Sequence, residues 1–337
     1  MSITIKDIAK HAGVSYSTVS KALRNSPLVK DPTKKKIIKI AEELGYVPNI
    51  AARSLVQKRS YTIGVVWPTV ERVAPSALIT IINDMLENHS YTTLLSINKI
   101  DSAISTFNRF QVDAVVVFAD NESDVSQAEK YHSTVPILYY GINANSEYPT
   151  IDVNRRLAVG LAVEHLTSLG HKNISYIGEI STKDPLQKEK YIGYVEAMEA
   201  NNLPIQPNMV IPTKGLDVYD GYLGAKSLFQ DSEDVTAIIS GSYDLTRGIL
   251  RATQELNINV PSGLSIISYD NIPQTENLDV QFTKVGVPLN RIAQKITETI
   301  LDIIEEKEIN EAIILEPEIN ISDSCAPPRR NEKLIKE

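Results

Sequence analysis

The chain has 337 residues, 42% of them apolar and 23% charged, with a formal net charge of −8. That length accommodates a small headpiece plus two α/β units, and the balance is that of an ordinary globular protein. A single cysteine, Cys325, excludes an internal disulfide framework, and no run of about 18 or more apolar residues points to a membrane span.

In chain order, Ile5, Ile8 and Ala9 recur at helical spacing, so Lys6–His11 reads as a short first helix. Gly13 follows and can take the positive φ that a tight inter-helix turn needs. Ser15 is a good N-cap for a second helix whose inward face is Val19, Ala22 and Leu23. Two short helices across a glycine turn make a helix-turn-helix. Tyr16, Ser17, Ser20 and Lys21 form the outward face, which suits base edges in a major groove; Thr4, Ser15, Thr18 and Asn25 complete the candidate DNA-facing set. A third helix is expected over Pro32–Leu44. Pro48 stops it, and Asn49 could cap a further short helix too poor in apolar surface to be stable alone; a plain linker is the other reading of that segment.

From Tyr61 onward, strands alternate with helices, the pattern of two doubly wound parallel sheets. Strands are expected at Thr62–Trp67, Thr92–Ile97, Ala114–Phe118 and Pro136–Tyr140, with a helix over Pro75–His89. A second cycle has helices at Leu157–Leu169, Lys188–Ala200, Tyr219–Phe229 and Leu245–Leu256. Its strands fall at Ile174–Ile177, Met209–Ile211, Ala237–Ser240 and Leu264–Ser268. Leu289–Glu306 reads as a long amphipathic helix and Ala312–Ile321 as a last strand.

Charge divides the chain unevenly. Residues 1–60 hold twelve Lys or Arg against four acids, a formal +8, which leaves −16 on the remainder. A basic head on an acidic body suits a protein that touches phosphates at one end only.

Four motifs carry a resemblance to the LacI/GalR family of transcriptional regulators: TIKDIAKHAGVSYSTVSKAL (4–23), LGYVPNIAARSL (44–55), LAVEHLTSLGHKNISYIG (161–178) and SDSCAPP (322–328). The resemblance implies an all-α helix-turn-helix headpiece (1–46), a hinge (47–60) and a periplasmic-binding-protein-like α/β core. The first core lobe is expected over 61–156 and 286–314, the second over 157–285 and 315–328, with a flexible tail at 329–337. It further implies a hinge helix that orders on operator DNA, where Leu55 wedges a base step and Ala52 lies one turn earlier; Asn49 and Arg53 belong to the same DNA-contacting segment. Three crossings between lobes are expected near Asp152–Arg155, Thr283–Val287 and Leu315–Ile319. The stretch Ser96–Val112 is shorter than usual in the family and implies a shortened second helix in the first lobe.

Asp270 matches a family aspartate that accepts hydrogen bonds from the effector, and Lys190 stands where an arginine is usual. Ser242 replaces a usual asparagine, Leu216 an aromatic, and Val73, Ala74 and Pro75 resemble a stretch that borders inducer in the lac repressor. Trp67, Tyr139, Tyr243 or Phe282 could supply the missing aromatic face. No phosphate loop, dinucleotide fingerprint, nucleophile elbow or metal-ligand spacing is found, so no cofactor, metal or catalytic residue is expected. His171 reads as a helix-end residue that meets the last carbonyls.

The expected function is that of an effector-responsive DNA-binding regulator, a repressor of carbohydrate or related catabolic genes. Its partners are a pseudo-palindromic operator, a small polar metabolite such as a sugar or sugar acid, and a second copy of itself. The short, charged tail argues against a leucine-heptad tetramer, and the N-terminus without an apolar h-region implies a cytoplasmic location. A small-solute-binding protein, an α/β enzyme acting on a sugar, and an architectural DNA-binding protein are the competing readings.

Overall fold

A computed structural model describes residues 3–23, 25–46, 59–67, 70–118, 133–141, 148–180, 184–232, 234–278 and 280–329. The chain divides into two compact units, 1–60 and 61–337.

The first unit holds α1 (Ile5–Ala12), α2 (Tyr16–Leu23) and α3 (Asp31–Glu43). They bury Ile8, Ala12, Val19, Ala22, Val29, Ile37 and Ala41 against one another. The Asp7 carboxylate accepts from the Thr4 N–H at 2.9 Å and the Thr4 hydroxyl at 2.7 Å, which pins the start of α1. Those bonds hold Asp7 below the usual carboxylate range. Gly13 turns at φ +71°, and its N–H closes on the Ala9 carbonyl at 3.0 Å. Ser15 Oγ accepts the Thr18 N–H at 3.2 Å, the N-cap expected for α2. The hinge positions Asn49, Ala52, Arg53 and Leu55 lie outside the described residues.

The second unit carries two six-stranded sheets. Its first lobe runs β1 (Thr62–Val66), α4 (Val73–Asn88), β2 (Thr92–Ser96), α5 (Ile100–Phe110), β3 (Ala114–Phe118), β4 (Ile137–Tyr140) and β5 (Thr150–Val153). The second lobe runs α6 (Arg155–Ser168), β6 (Ile174–Gly178), α7 (Pro185–Ala200), β7 (Val210–Pro212) and α8 (Val218–Asp231). It continues through β8 (Ala237–Ser240), α9 (Tyr243–Glu255), β9 (Ser265–Tyr269) and β10 (Thr283–Gly286). The chain then returns through α10 (Leu289–Ile304) and β11 (Ala312–Leu315) to the first sheet, and through β12 (Glu318–Asn320) to the second. The first sheet has the order β11-β5-β4-β3-β1-β2, the second β12-β10-β9-β8-β6-β7, and only β12 runs antiparallel to its neighbour.

The chain therefore passes between lobes three times, at β5 to α6, β10 to α10 and β11 to β12. The single strand expected over Ala312–Ile321 is two strands. Glu316-Pro317 separates them, and proline has no N–H to continue a ladder. Leu315 closes the first sheet and Gly286 the second, each one residue across the boundaries anticipated from sequence.

Four helices, α6 to α9, begin earlier than periodicity suggests because their caps lie upstream, by the widest margin in α7 and by two residues in α6 and α9. Asp184 Oδ1 accepts the N–H groups of Leu186 and Gln187 (2.9 and 3.1 Å), and Ser242 Oγ that of Leu245 (3.2 Å). His171 does not turn its ring to the end of α6. The ring is buried between the Thr236 hydroxyl and the Ala326 carbonyl, each 2.9 Å away, and so ties the C-terminal segment to the second lobe. Arg329, expected to begin a loose tail, donates to the Ser262 carbonyl at 2.7 Å.

Helices α8 and α9 pack through glycines: a Cβ on Gly248 would sit on the Val218 carbonyl oxygen, and one on Gly221 on the Leu245 carbonyl oxygen. Neither backbone can yield without parting the helices. Gly248→Ala should destabilise the second unit by about 3 kcal/mol, measured by denaturant unfolding.

Candidate functional site

Between the lobes lies a cavity of about 180 Å³. It has room on the order of a dozen water positions, a fit for a molecule of monosaccharide size. Its walls are the carboxyl ends of strands, which is where open α/β sheets expose unpaired backbone and side chains to a ligand. Trp67 follows β1, Phe118 ends β3, Tyr140 ends β4, Val153 ends β5, Tyr269 and Asp270 close β9, and Gly286 ends β10. Three helices begin against the same space: α4 with Ala74 and Pro75, α7 with Leu186 and Gln187, α10 with Leu289. Their first-turn N–H groups add positive potential to the cleft.

Arg155 is buried, and its Nη1 donates to Asp152 Oδ1 at 2.6 Å and to the Val153 carbonyl at 3.3 Å. Burial opposes its charge, yet Asp152 together with Tyr269 and Tyr140 outweighs it and raises the pKa of the guanidinium. Lys190, only 3% exposed, donates from Nζ to the Gly241 carbonyl at 2.8 Å and sits 3.7 Å from the centre of the Tyr269 ring. Burial, with Arg72 and Arg155 adding to it against the pull of Asp270, lowers its pKa to about 7. Asp270 adopts φ +81°, a conformation rare for a residue with a side chain, and its Oδ2 accepts the Tyr243 N–H at 2.9 Å. Across the lobes, the Val73 N–H donates to Asp244 Oδ2 at 3.1 Å, and burial raises the Asp244 carboxyl against that bond. Tyr243 and Ile272 of the second lobe pack into the apolar cluster of the first.

Of the effector positions read from sequence, Ala74, Pro75, Lys190 and Asp270 line the cavity. Val73 stands beside it and joins the lobes through its N–H. Ser242 and Leu216 do not reach the cavity: the Ser242 hydroxyl donates to the Leu216 carbonyl at 3.2 Å, and both residues are buried. Trp67, Phe118 and Tyr140 supply aromatic faces, whereas Tyr139 and Phe282 are spent in the lobe cores. Sequence reasoning missed Arg72, Arg155, Asp184 and Gln187. Asp184-Pro185 at a helix start was the signal available for that turn, and the two arginines had none short of the crossover geometry.

In the headpiece, Tyr16 and Ser17 are exposed and Thr18, Ser20 and Lys21 partly so, all on α2. Thr4 is occupied at the start of α1. Asn25, at φ +53°, accepts Lys34 Nζ on Oδ1 at 3.0 Å. Lys36 Nζ donates to the Ala12 carbonyl at 3.0 Å, so one lysine of α3 is a strut within the headpiece. Among the described residues, no cluster of three or more His, Cys, Asp or Glu could hold a metal ion, and no helix is long and apolar enough to cross a membrane.

Residues 4–49 match the family described as bacterial regulatory proteins, lacI family, and residues 163–325 match the periplasmic binding protein-like domain. The chain is 29% identical to catabolite control protein A of Priestia megaterium over 325 residues, covering 94% of this chain and 97% of that relative. It is 30% identical to the HTH-type transcriptional regulator MalR of Streptococcus pneumoniae over 325 residues, covering 93% and 96%. Its fold is similar to the lac repressor dimer bound to operator and the anti-inducer ONPF (TM-score 0.85, 21% identity, 97% of this chain and 100% of that one). It is also similar to a LacI family transcriptional regulator from Enterococcus faecium with bound ribose (TM-score 0.71, 22% identity, 80% and 100%).

Burial of Lys190 has a measurable consequence. Its pKa is about 7 in the folded core against the 10.5 of an unperturbed lysine. Between those values the unfolded chain binds the extra proton, so stability contributed by this group rises with pH. From pH 7 to 9 the melting temperature of the wild type should gain on that of Lys190→Met, in which the Lys190 component is absent.

Proposed function

Because the chain belongs to the lacI family of bacterial regulatory proteins, we propose that its cleft takes up a small polar metabolite and that occupancy sets how tightly the headpiece holds an operator. The observation that carries this reading is the cavity wall. It is built from both lobes and from the crossing segments at Val153, Arg155, Gly286 and Val287, so a bound molecule touches the elements that join the lobes. A metabolite shifts operator affinity only by its differential affinity for two lobe arrangements. Relatives concerned with catabolite control, and a related structure holding ribose, favour carbohydrate or allied catabolic genes as targets and repression as the output.

Tyr16, Ser17, Ser20 and Lys21 are the base-reading side chains in this proposal, and the hinge around Asn49, Ala52, Arg53 and Leu55 is the element that orders on DNA. Lysine at position 21 lacks the bidentate grip that arginine has on guanine, which biases the half-site preferred. The protein acts as a homodimer in the cytoplasm, without catalysis. Leu94 and Leu95 on edge strand β2, Ile97 beyond it, and Tyr219 and Leu223 on α8 expose apolar surface that a second copy would cover. Two-fold symmetry then calls for a pseudo-palindromic site.

Selection from a random duplex pool with the full chain should enrich a two-fold symmetric site. Lys21→Ala should weaken that site about tenfold or more while changing affinity for random duplex far less at matched salt. Enrichment of no sequence, or equal losses on both duplexes, would contradict the proposal.

A further inference from the structure

Three buried polar atoms on the cavity wall have no partner among the described residues: Trp67 Nε1, Arg72 Nε and Gln187 Oε1. Trp67 and Gln187 are themselves more than nine-tenths buried. Unmet polar groups in such a place are costly unless a ligand completes them. Two are donors and one an acceptor, so the missing molecule offers both acceptor oxygens and hydroxyl donors.

The charges narrow this further. The carboxylates at the cleft already accept a bond within the protein through one oxygen each: Asp152 from Arg155, Asp184 from the N–H groups that open α7, and Asp270 from the Tyr243 N–H. The cations are not matched in the same way. Arg155 has Asp152, but neither Arg72 nor Lys190 has a carboxylate within ion-pair distance among the described residues, and Lys190 makes do with the Gly241 carbonyl and the Tyr269 ring. A neutral sugar would add no countercharge to the longer-range pull of Asp270 and Asp184 on Lys190 and of Asp244 on Arg72.

We infer that the molecule this cleft is built for is a small polyhydroxylated anion, a sugar acid or sugar phosphate. Its charged group is taken by Arg72 and Lys190, and its hydroxyls by Gln187, Trp67 and the free oxygen of Asp270. The inference rests on the cleft being the effector site. The lowered pKa of Lys190 supports it, since an anion at this point restores the proton that burial and the two arginines drive off. The N-terminus of α10, which has no side-chain cap, adds to the same preference.

Trp67 is the sole tryptophan, so tryptophan emission, excited selectively over the tyrosines, reports on the cleft. Matched probes are glucose against glucuronate, gluconate and glucose 6-phosphate, with galactose and its acid and phosphate as a second set. At least one anion should bind about tenfold or more tightly than its neutral parent. The carboxylate and phosphate arms then tell the two sources apart. Lys190→Met and Arg72→Gln, each checked for a single cooperative melting transition well above the assay temperature, should each reduce that preference, and together erase it. A neutral sugar binding as tightly as its acid and phosphate, an anion preference that survives both substitutions, or no fluorescence response to either class would overturn the inference. Anion binding that leaves operator affinity unchanged would instead overturn the regulatory reading while the anion site stands.

Discussion

The structure turns on a cationic side chain held between two sheets without a carboxylate of its own. Lys190 is reached from one side by the Gly241 carbonyl and from another by the Tyr269 ring, while Arg72 and Arg155 repel it. Burying such a group is costly unless a countercharge or further acceptors reach it. Whatever fills the cleft must supply acceptors to Lys190 on α7 of the second lobe and to Arg72 at the start of α4 of the first. One small molecule thereby becomes a contact between lobes.

The fold makes that contact matter. Strands β5 and β10, each of which leads into a crossing, put Val153 of the first lobe and Gly286 of the second on the cavity wall. The Val73–Asp244 bond and the seating of Tyr243 and Ile272 in the first-lobe cluster join the two lobes directly. Burial raises the Asp244 carboxyl against the pull of the Val73 N–H, so this bond between lobes is made at a desolvation cost.

Elements with uniform burial were legible in sequence. Ala114–Phe118 is buried at every position and reads as a strand from its apolar run alone; Ala237–Ser240 behaves likewise. Thr150–Val153 and Thr283–Gly286 were legible only as crossings, because each carries a charge, Asp152 or Lys284, that interrupts the pattern. The interruption is functional for Asp152, which anchors Arg155, and architectural for Lys284, which donates to the Ile272 carbonyl and the Thr275 hydroxyl. In the site, Lys190 and Asp270 were reached through motif position. Ser242 and Leu216 were reached the same way, yet they bond to each other, since a cap on α9 consumes the hydroxyl. Arg72, Arg155 and Gln187 stand far apart in sequence and become neighbours only through three crossings, which no local pattern encodes.

Coupling between cleft and DNA is reciprocal by thermodynamic necessity: the factor by which a metabolite changes operator affinity equals the factor by which operator changes metabolite affinity. The most direct measurement is therefore a closed cycle on the full chain. Trp67 fluorescence gives metabolite affinity with and without the selected operator, and anisotropy of labelled operator gives DNA affinity with and without metabolite. Linked lobes and headpiece predict two equal factors distinct from one, in the same direction. Metabolite affinity indifferent to saturating operator would contradict the coupling, however tightly either partner binds alone.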